Sequence, residues 1–357
     1  ARNNFKHSRW YIMGASSGTG NYDAVVQAYD YNSSATIATG HTVTLTDHVT
    51  NNNFFQIESG ATLVGGGFSI TVDNESSSDW TFLNSGTISG VLDVIITNPN
   101  GVAAIDFNGQ AGNIRHLTIN HGSCVATLVD DTTITGDLTI VEGVLTTLDK
   151  DGTTNRSLTV GGEISIEDGG TLKGNASAIQ AATMEIESGG TYEATSGTTT
   201  ITAASGGSTS GRAYWSHTGG TLKHNFGTFS FTNGSPQVEP GGPNDPSDQV
   251  ATSAHTFWNV TCTGGFLPKT QRMVIANNLT TAGDIGYNGN NYWMEVHGTW
   301  KHTAGSTNNS DTCQSTRGYA RNFVLDGTGE LDLKTTNMNF GSFRNIGSGT
   351  VTGVANQ

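Results

Sequence analysis

One short phrase recurs along this chain about every twenty residues, and that recurrence limits what it can fold into more than any other feature. Leu117-Thr118-Ile119, Leu138-Thr139-Ile140 and Leu158-Thr159-Val160 start 21 and 20 positions apart. Ile164-Ser165-Ile166 and Met184-Glu185-Ile186 lie 20 apart, and each runs into a turn of one type: Glu167-Asp168-Gly169-Gly170-Thr171 and Glu187-Ser188-Gly189-Gly190-Thr191. Related turns stand at Glu58-Ser59-Gly60-Ala61-Thr62-Leu63 and His217-Thr218-Gly219-Gly220-Thr221-Leu222. A fixed period of this length marks a stacked repeat architecture, in which no single repeat buries its own apolar face.

Within each phrase the apolar residues alternate with threonine, the period of a strand with one face inward. Stacked rungs would place Leu, Ile and Val in internal ladders and Thr, Ser and Asn outside, with Gly at the corners. The predicted fold is all-β, a right-handed parallel β-helix with rungs of about 20 residues. Leu117, Ile119, Leu138, Ile140, Leu158, Val160, Ile164, Ile166, Met184 and Ile186 should point inward. No window of a dozen residues has clean helical spacing. At about 4.8 Å per rung the expected product is a rod on the order of 70–80 Å long. The 48 glycines and a hydrophobic share of only 34% suit so thin a core.

The organisation reads as four segments. Residues 1–34 carry Arg2, Lys6 and Arg9 beside Trp10 and Tyr11, and form a cap or docking arm with interface potential. Residues 35–232 form a first solenoid segment. Residues 233–255 hold four of the six prolines and read as a loop or linker. Residues 256–357 form a second segment, where Asn259 and Asn278 occupy matching places 19 apart. A further interruption is expected at the Gly/Ser-rich stretch 203–212.

The formal net charge of −14 argues against nucleic acid as a partner. No stretch approaches 18 apolar residues, so membrane insertion is not expected. Cys124, Cys262 and Cys313 are far apart and odd in number, which fits neither a disulfide framework nor a zinc site. No cofactor or metal motif is present; the ten histidines are scattered, with His116 and His121 flanking one strand. Glu167 and Glu187 are the one rung-spaced carboxylate pair worth testing for catalysis. Both precede Gly-Gly turns, and no catalytic residue is assigned. Tyr214-Trp215, Tyr292-Trp293 and Trp300 are candidate glycan platforms, since exposed Tyr and Trp suit flat sugar faces; the competing reading places them in the core or at an interface.

The Glu-x-Gly-Gly-Thr-Leu turns, the Gly136-Asp137-Leu138-Thr139-Ile140 phrase and the Phe257-Trp258-Asn259-Val260-Thr261 phrase resemble the β-solenoid structural proteins of tailed phages, particularly those of marine cyanobacteria. The resemblance covers roughly 35–202 and 256–352. It implies a virion surface component, a tail fibre, spike or capsid-decorating protein, extracellular and commonly homotrimeric, acting in host attachment or particle assembly. It implies other virion proteins as partners, with a host-surface glycan as a further one, and brings no catalytic motif. A bacterial cell-surface adhesin and a polysaccharide-degrading β-helix enzyme are the alternatives on the same fold.

Overall fold

Strands of three to five residues joined by glycine corners can close their backbone hydrogen bonds only against another turn of the same chain, and the computed structural model shows them doing so. It describes residues 10–12, 35–51, 53–73, 80–97, 101–108, 113–203, 215–232, 237–239, 256–264, 267–268, 272–283, 285, 293–305, 316–332 and 336–352. Every regular element among them is a β-strand, and the paired strands run parallel. The fold is a β-solenoid with rungs about 23 residues apart. The chain divides into two compact units, Ala1–Lys173 and Gly174–Gln357. The division falls before the proline-rich stretch 233–255, which the sequence suggested as a loop or linker.

The first unit winds three strands per turn. Ala35–Ile37, Thr42–Thr44 and Val49–Asn51 make one turn, and Phe55–Ile57, Thr62–Val64 and Ser69–Val72 the next. Ile37 pairs with Ile57, Val43 with Leu63 and Val49 with Ile70, so three ladders grow together. Trp10–Ile12 pairs with Ala35–Ile37 and lays one more strand on the first of them. Arg2, Lys6 and Arg9, and the rest of the predicted cap or docking arm, lie outside the described residues.

Register corrects one reading. Leu117 pairs with Leu138, and Leu138 with Ile164 rather than with the Leu158 phrase. Leu158 pairs with Thr132 in a different ladder. The segment between Thr146 and Leu158 makes an excursion that lengthens this turn, so two similar phrases 20 residues apart stand on different sides. The facing is nevertheless as expected: Leu117, Ile119, Leu138, Ile140, Leu158, Val160, Ile164, Ile166, Met184 and Ile186 are all buried.

In the second unit one ladder runs through Ile179–Ala181, Thr198–Ile201, Thr228–Phe231, Asn259–Cys262 and Leu279–Ala282, and continues in Trp293–Ala304, Thr316–Leu325 and Thr336–Asn345. Phe229 pairs directly with Val260 across the proline-rich stretch. Within that stretch Gln237–Glu239 is itself a strand, pairs with Trp215–His217 and buries Val238. Gln237–Glu239 thus supplies part of a turn. The tip of the other interruption lies outside the described residues, but Met184 pairs with Trp215 across it, 31 positions on.

The Glu-x-Gly-Gly turn shows why two glycines stand together. The amide of Gly170 donates to the Glu167 carbonyl at 2.9 Å, and Gly169 takes φ +87°, open to glycine at little cost. At Gly170 a Cβ would run into the carbonyl oxygen of Ile140 in the turn below. The first glycine answers a dihedral demand and the second a close approach.

Candidate functional site

The polar side chains that begin the strands share one arrangement. His48 Nδ1 accepts the backbone N–H of Ser69 at 3.1 Å. His116 Nδ1 accepts that of Asp137 at 3.0 Å, and Asp137 Oδ1 accepts that of Glu163 at 2.9 Å. In the second unit Asn259 Oδ1 accepts the N–H of Asn278 at 3.2 Å, and Asn278 Oδ1 that of Thr299 at 3.0 Å. In each case a side chain at a strand start caps the matching N–H one turn later, a donor that would otherwise face the solvent or go unmet at a corner. The matched asparagines in the sequence are therefore ladder caps. In the first unit Arg115 grips Asp93 through two bonds, Nε to Oδ1 at 2.9 Å and a terminal nitrogen to Oδ2 at 2.6 Å.

Glu167 and Glu187 stand in different units, Glu167 at the end of the first and Glu187 in the second. Each gives its backbone carbonyl to the N–H three residues on, at 2.9 and 3.0 Å, and so belongs to a turn. Among the described residues no group of three or more His, Cys, Asp or Glu is placed to hold a metal ion. Cys124 and Cys262 are buried and in no disulfide, and burial pushes the Cys262 thiol up from its ordinary pKa.

The aromatic candidates separate into inside and outside. Trp215 and Trp300 are 0% and 1% exposed, which overturns their reading as glycan platforms. Trp215 packs against Phe229 at 5.2 Å and Phe257 at 5.3 Å between ring centres, both edge-on, with Tyr192 at 6.2 Å. Rings of this size fill core volume that aliphatics would leave empty, and edge-to-face contact suits their quadrupoles. The Tyr192 hydroxyl meets Thr199 Oγ1 at 2.7 Å, and burial raises its pKa, keeping the phenol protonated. Trp300 donates from Nε1 to Thr281 Oγ1 at 3.0 Å; that hydroxyl lies 2.8 Å from His302 Nδ1, and His302 Nε2 lies 2.8 Å from the Gly305 carbonyl. A carbonyl cannot donate, so the partners put the proton on Nε2 and leave Nδ1 to accept from Thr281. Tyr214 and Tyr292 lie outside the described residues, and Trp293 begins the strand Trp293–Ala304.

What lies outside is a cluster that sequence reasoning did not select. In the turn His224–Gly227 the Gly227 N–H donates to the His224 carbonyl at 3.0 Å, and the two central residues, Asn225 and Phe226, have φ of +45° and +61°. Asn tolerates this region, but a bulky residue there is an outlier that costs on the order of 1–2 kcal/mol. Phe226 is also 68% exposed. Its ring meets Trp258 edge-on at 4.9 Å, and His224 stacks on Trp258 at 5.3 Å and 26°. Partial burial lowers the His224 pKa. Phe257 and Trp258 are neighbours with opposite fates, one ring inside and the other half out. The one sequence signal was Asn225-Phe226-Gly227, an aromatic at a turn position where glycine would be expected.

Comparisons with protein-family models, with curated proteins and with solved structures find no match for this chain.

Proposed function

We propose that this chain is a structural component of a tailed-phage virion surface, a tail fibre or spike or a capsid-decorating protein, acting in host attachment or in particle assembly. The observation that supports this reading is the use made of polar side chains. His48, His116, Asp137, Asn259 and Asn278 all hold one turn to the next, which is the chemistry of a scaffold. The acidic, hydroxyl-rich and lightly charged composition suits an extracellular, particle-borne protein. On this reading the chain works without catalysis, as a homo-oligomer with a trimer favoured, alongside other virion proteins.

The test is labelling. Gold-conjugated antibodies against the purified chain should decorate phage particles in negative stain, and light scattering should give the mass of a trimer. Decoration of bacterial cells without particles would replace this reading with that of a cell-surface adhesin. Incubation with capsular or lipopolysaccharide glycans should release no reducing ends; release abolished by Glu167→Gln would establish the enzyme instead. Arg2, Lys6, Arg9, Trp10 and Tyr11 are assigned to docking. Deleting residues 1–22 should reduce incorporation into the assembly, and unchanged incorporation would leave the segment a cap alone.

A further inference from the structure

The turn at His224–Gly227 carries a large apolar ring on a backbone that penalises it, and presents that ring to solvent. Among the described residues Phe226 is the most exposed of the large hydrophobic side chains. Glycine at this position would remove both the strain and the exposed apolar surface, and would give up only edge-on ring contacts with Trp258 and His224. A strained, exposed residue points to a role outside the fold.

We propose that His224, Phe226 and Trp258 form a carbohydrate-binding platform that takes one or two pyranose rings. The C–H face of a pyranose packs on an aromatic face, while its hydroxyls need donors and acceptors at the rim. Both are present. Phe226 stands edge-on to Trp258, making an aromatic corner. Lys223 and Glu193, paired at 2.7 Å, flank the turn with side chains 55% and 28% exposed. Asn225 is exposed on the turn but gives its Nδ2 to the Ala194 carbonyl at 2.7 Å, and His224 Nδ1 accepts the Phe226 N–H at 3.0 Å, which leaves the ring proton on Nε2 for a ligand oxygen.

The extent of the patch selects the ligand. A protein partner covers about 800 Å² on each side, far more than three partly packed rings offer. Among the described residues the other exposed large hydrophobics of this unit, Phe343, Ile346 and Val351, belong to its last described turn. Four ladder steps separate Phe343 from Val260, on the order of 19 Å at strand spacing. Among the described residues the patch therefore stands alone, and it matches a small, flat, hydroxylated ligand.

The inference deepens the attachment part of the proposed function, and its test separates the two. The full chain is applied to a printed array of bacterial capsular and lipopolysaccharide oligosaccharides, and bound sugars are followed by saturation-transfer NMR. At least one oligosaccharide should bind, and Phe226→Gly and Trp258→Ala should each weaken it at least tenfold. Phe226→Gly should leave the melting temperature unchanged or higher, because glycine adopts this φ freely. Binding to no oligosaccharide, or binding that survives both substitutions, overturns the platform. So does a fall in melting temperature with Phe226→Gly, which would make the ring structural, or a fall in solution mass, which would make the patch a contact between copies. A chain that labels virions but binds no sugar refutes this inference alone.

Discussion

The two units build the same ladders from different fillings. Among the described residues of the first the interior is mostly Ile, Leu, Val and Ala, with Phe55, Phe82 and Phe107 as its buried rings. In the second Tyr192, Trp215, Phe229, Phe231, Phe257, Trp300 and Phe323 carry much of it. The aromatics gather where turns carry long excursions: Met184 pairs with Trp215 and Phe229 with Val260, each 31 positions on. Polar anchoring differs too. The excursion of the first unit is organised by a carboxylate, Asp149, which accepts from the amides of Asp151, Thr153 and Thr154 at 3.1, 3.3 and 3.4 Å, with Arg156 at 3.6 Å. The second unit buries a hydrogen-bonded chain, Trp300 to Thr281 to His302. The difference teaches that parallel pairing and inward alternation set the architecture, and that the filling adapts to turn length.

The largest effects should come from breaking either filling. Leu138→Asp puts an unpaired charge where the side chain is fully buried and should cost on the order of 3–5 kcal/mol in denaturant unfolding. Trp215→Ala should cost about 3–5 kcal/mol through the cavity it leaves among Tyr192, Phe229 and Phe257. A loss below about 1 kcal/mol there would mean that the aromatic core rearranges freely, and the contrast between the units would lose its energetic meaning.

Thr281→Val keeps the shape of the side chain but strips the acceptor from Trp300 and the donor from His302. It should cost about 1–3 kcal/mol, the penalty for buried polar groups left unmet. A neutral result would show that His302 and Trp300 find other partners.

Acid should test the carboxylate anchor of the first unit. Burial would raise the Asp149 pKa, but its backbone donors and Arg156 outweigh that and hold it below the ordinary 3.8. A carboxylate with a depressed folded value stabilises above its unfolded pKa and loses that contribution as pH falls through the folded one. The amide resonances of Asp151, Thr153 and Thr154 should therefore move together at pH values below 3.8. Movement well above that value would contradict the assigned hydrogen bonds. The smallest effect belongs to Thr139→Asp, next to Leu138 on the outward face, which should change stability by no more than about 0.5 kcal/mol. Equal losses for Leu138→Asp and Thr139→Asp would contradict the facing in the ladder.

Much of the architecture is written in local chemistry. Alternation in Leu-Thr-Ile, glycine pairs at corners and a period near twenty are properties of neighbouring residues, and they determine a parallel solenoid whatever the details of register. The inward facing of Leu117, Ile140 and Ile166 follows from the same alternation. Tertiary structure alone decided which phrase stacks on which. Leu158 repeats the Leu138 phrase yet stands in another ladder, because the excursion after Thr146 shifts the count, and no local signal measures an excursion. It also decided which aromatics face out. Trp215 and Trp300 look as exposable in sequence as Trp258, but adjacent strand positions point to opposite faces, so a shift of one residue exchanges core for surface. Phe226 became visible as a candidate only through its backbone angle and the ring of Trp258 from the next turn, two facts that exist once the turns are stacked.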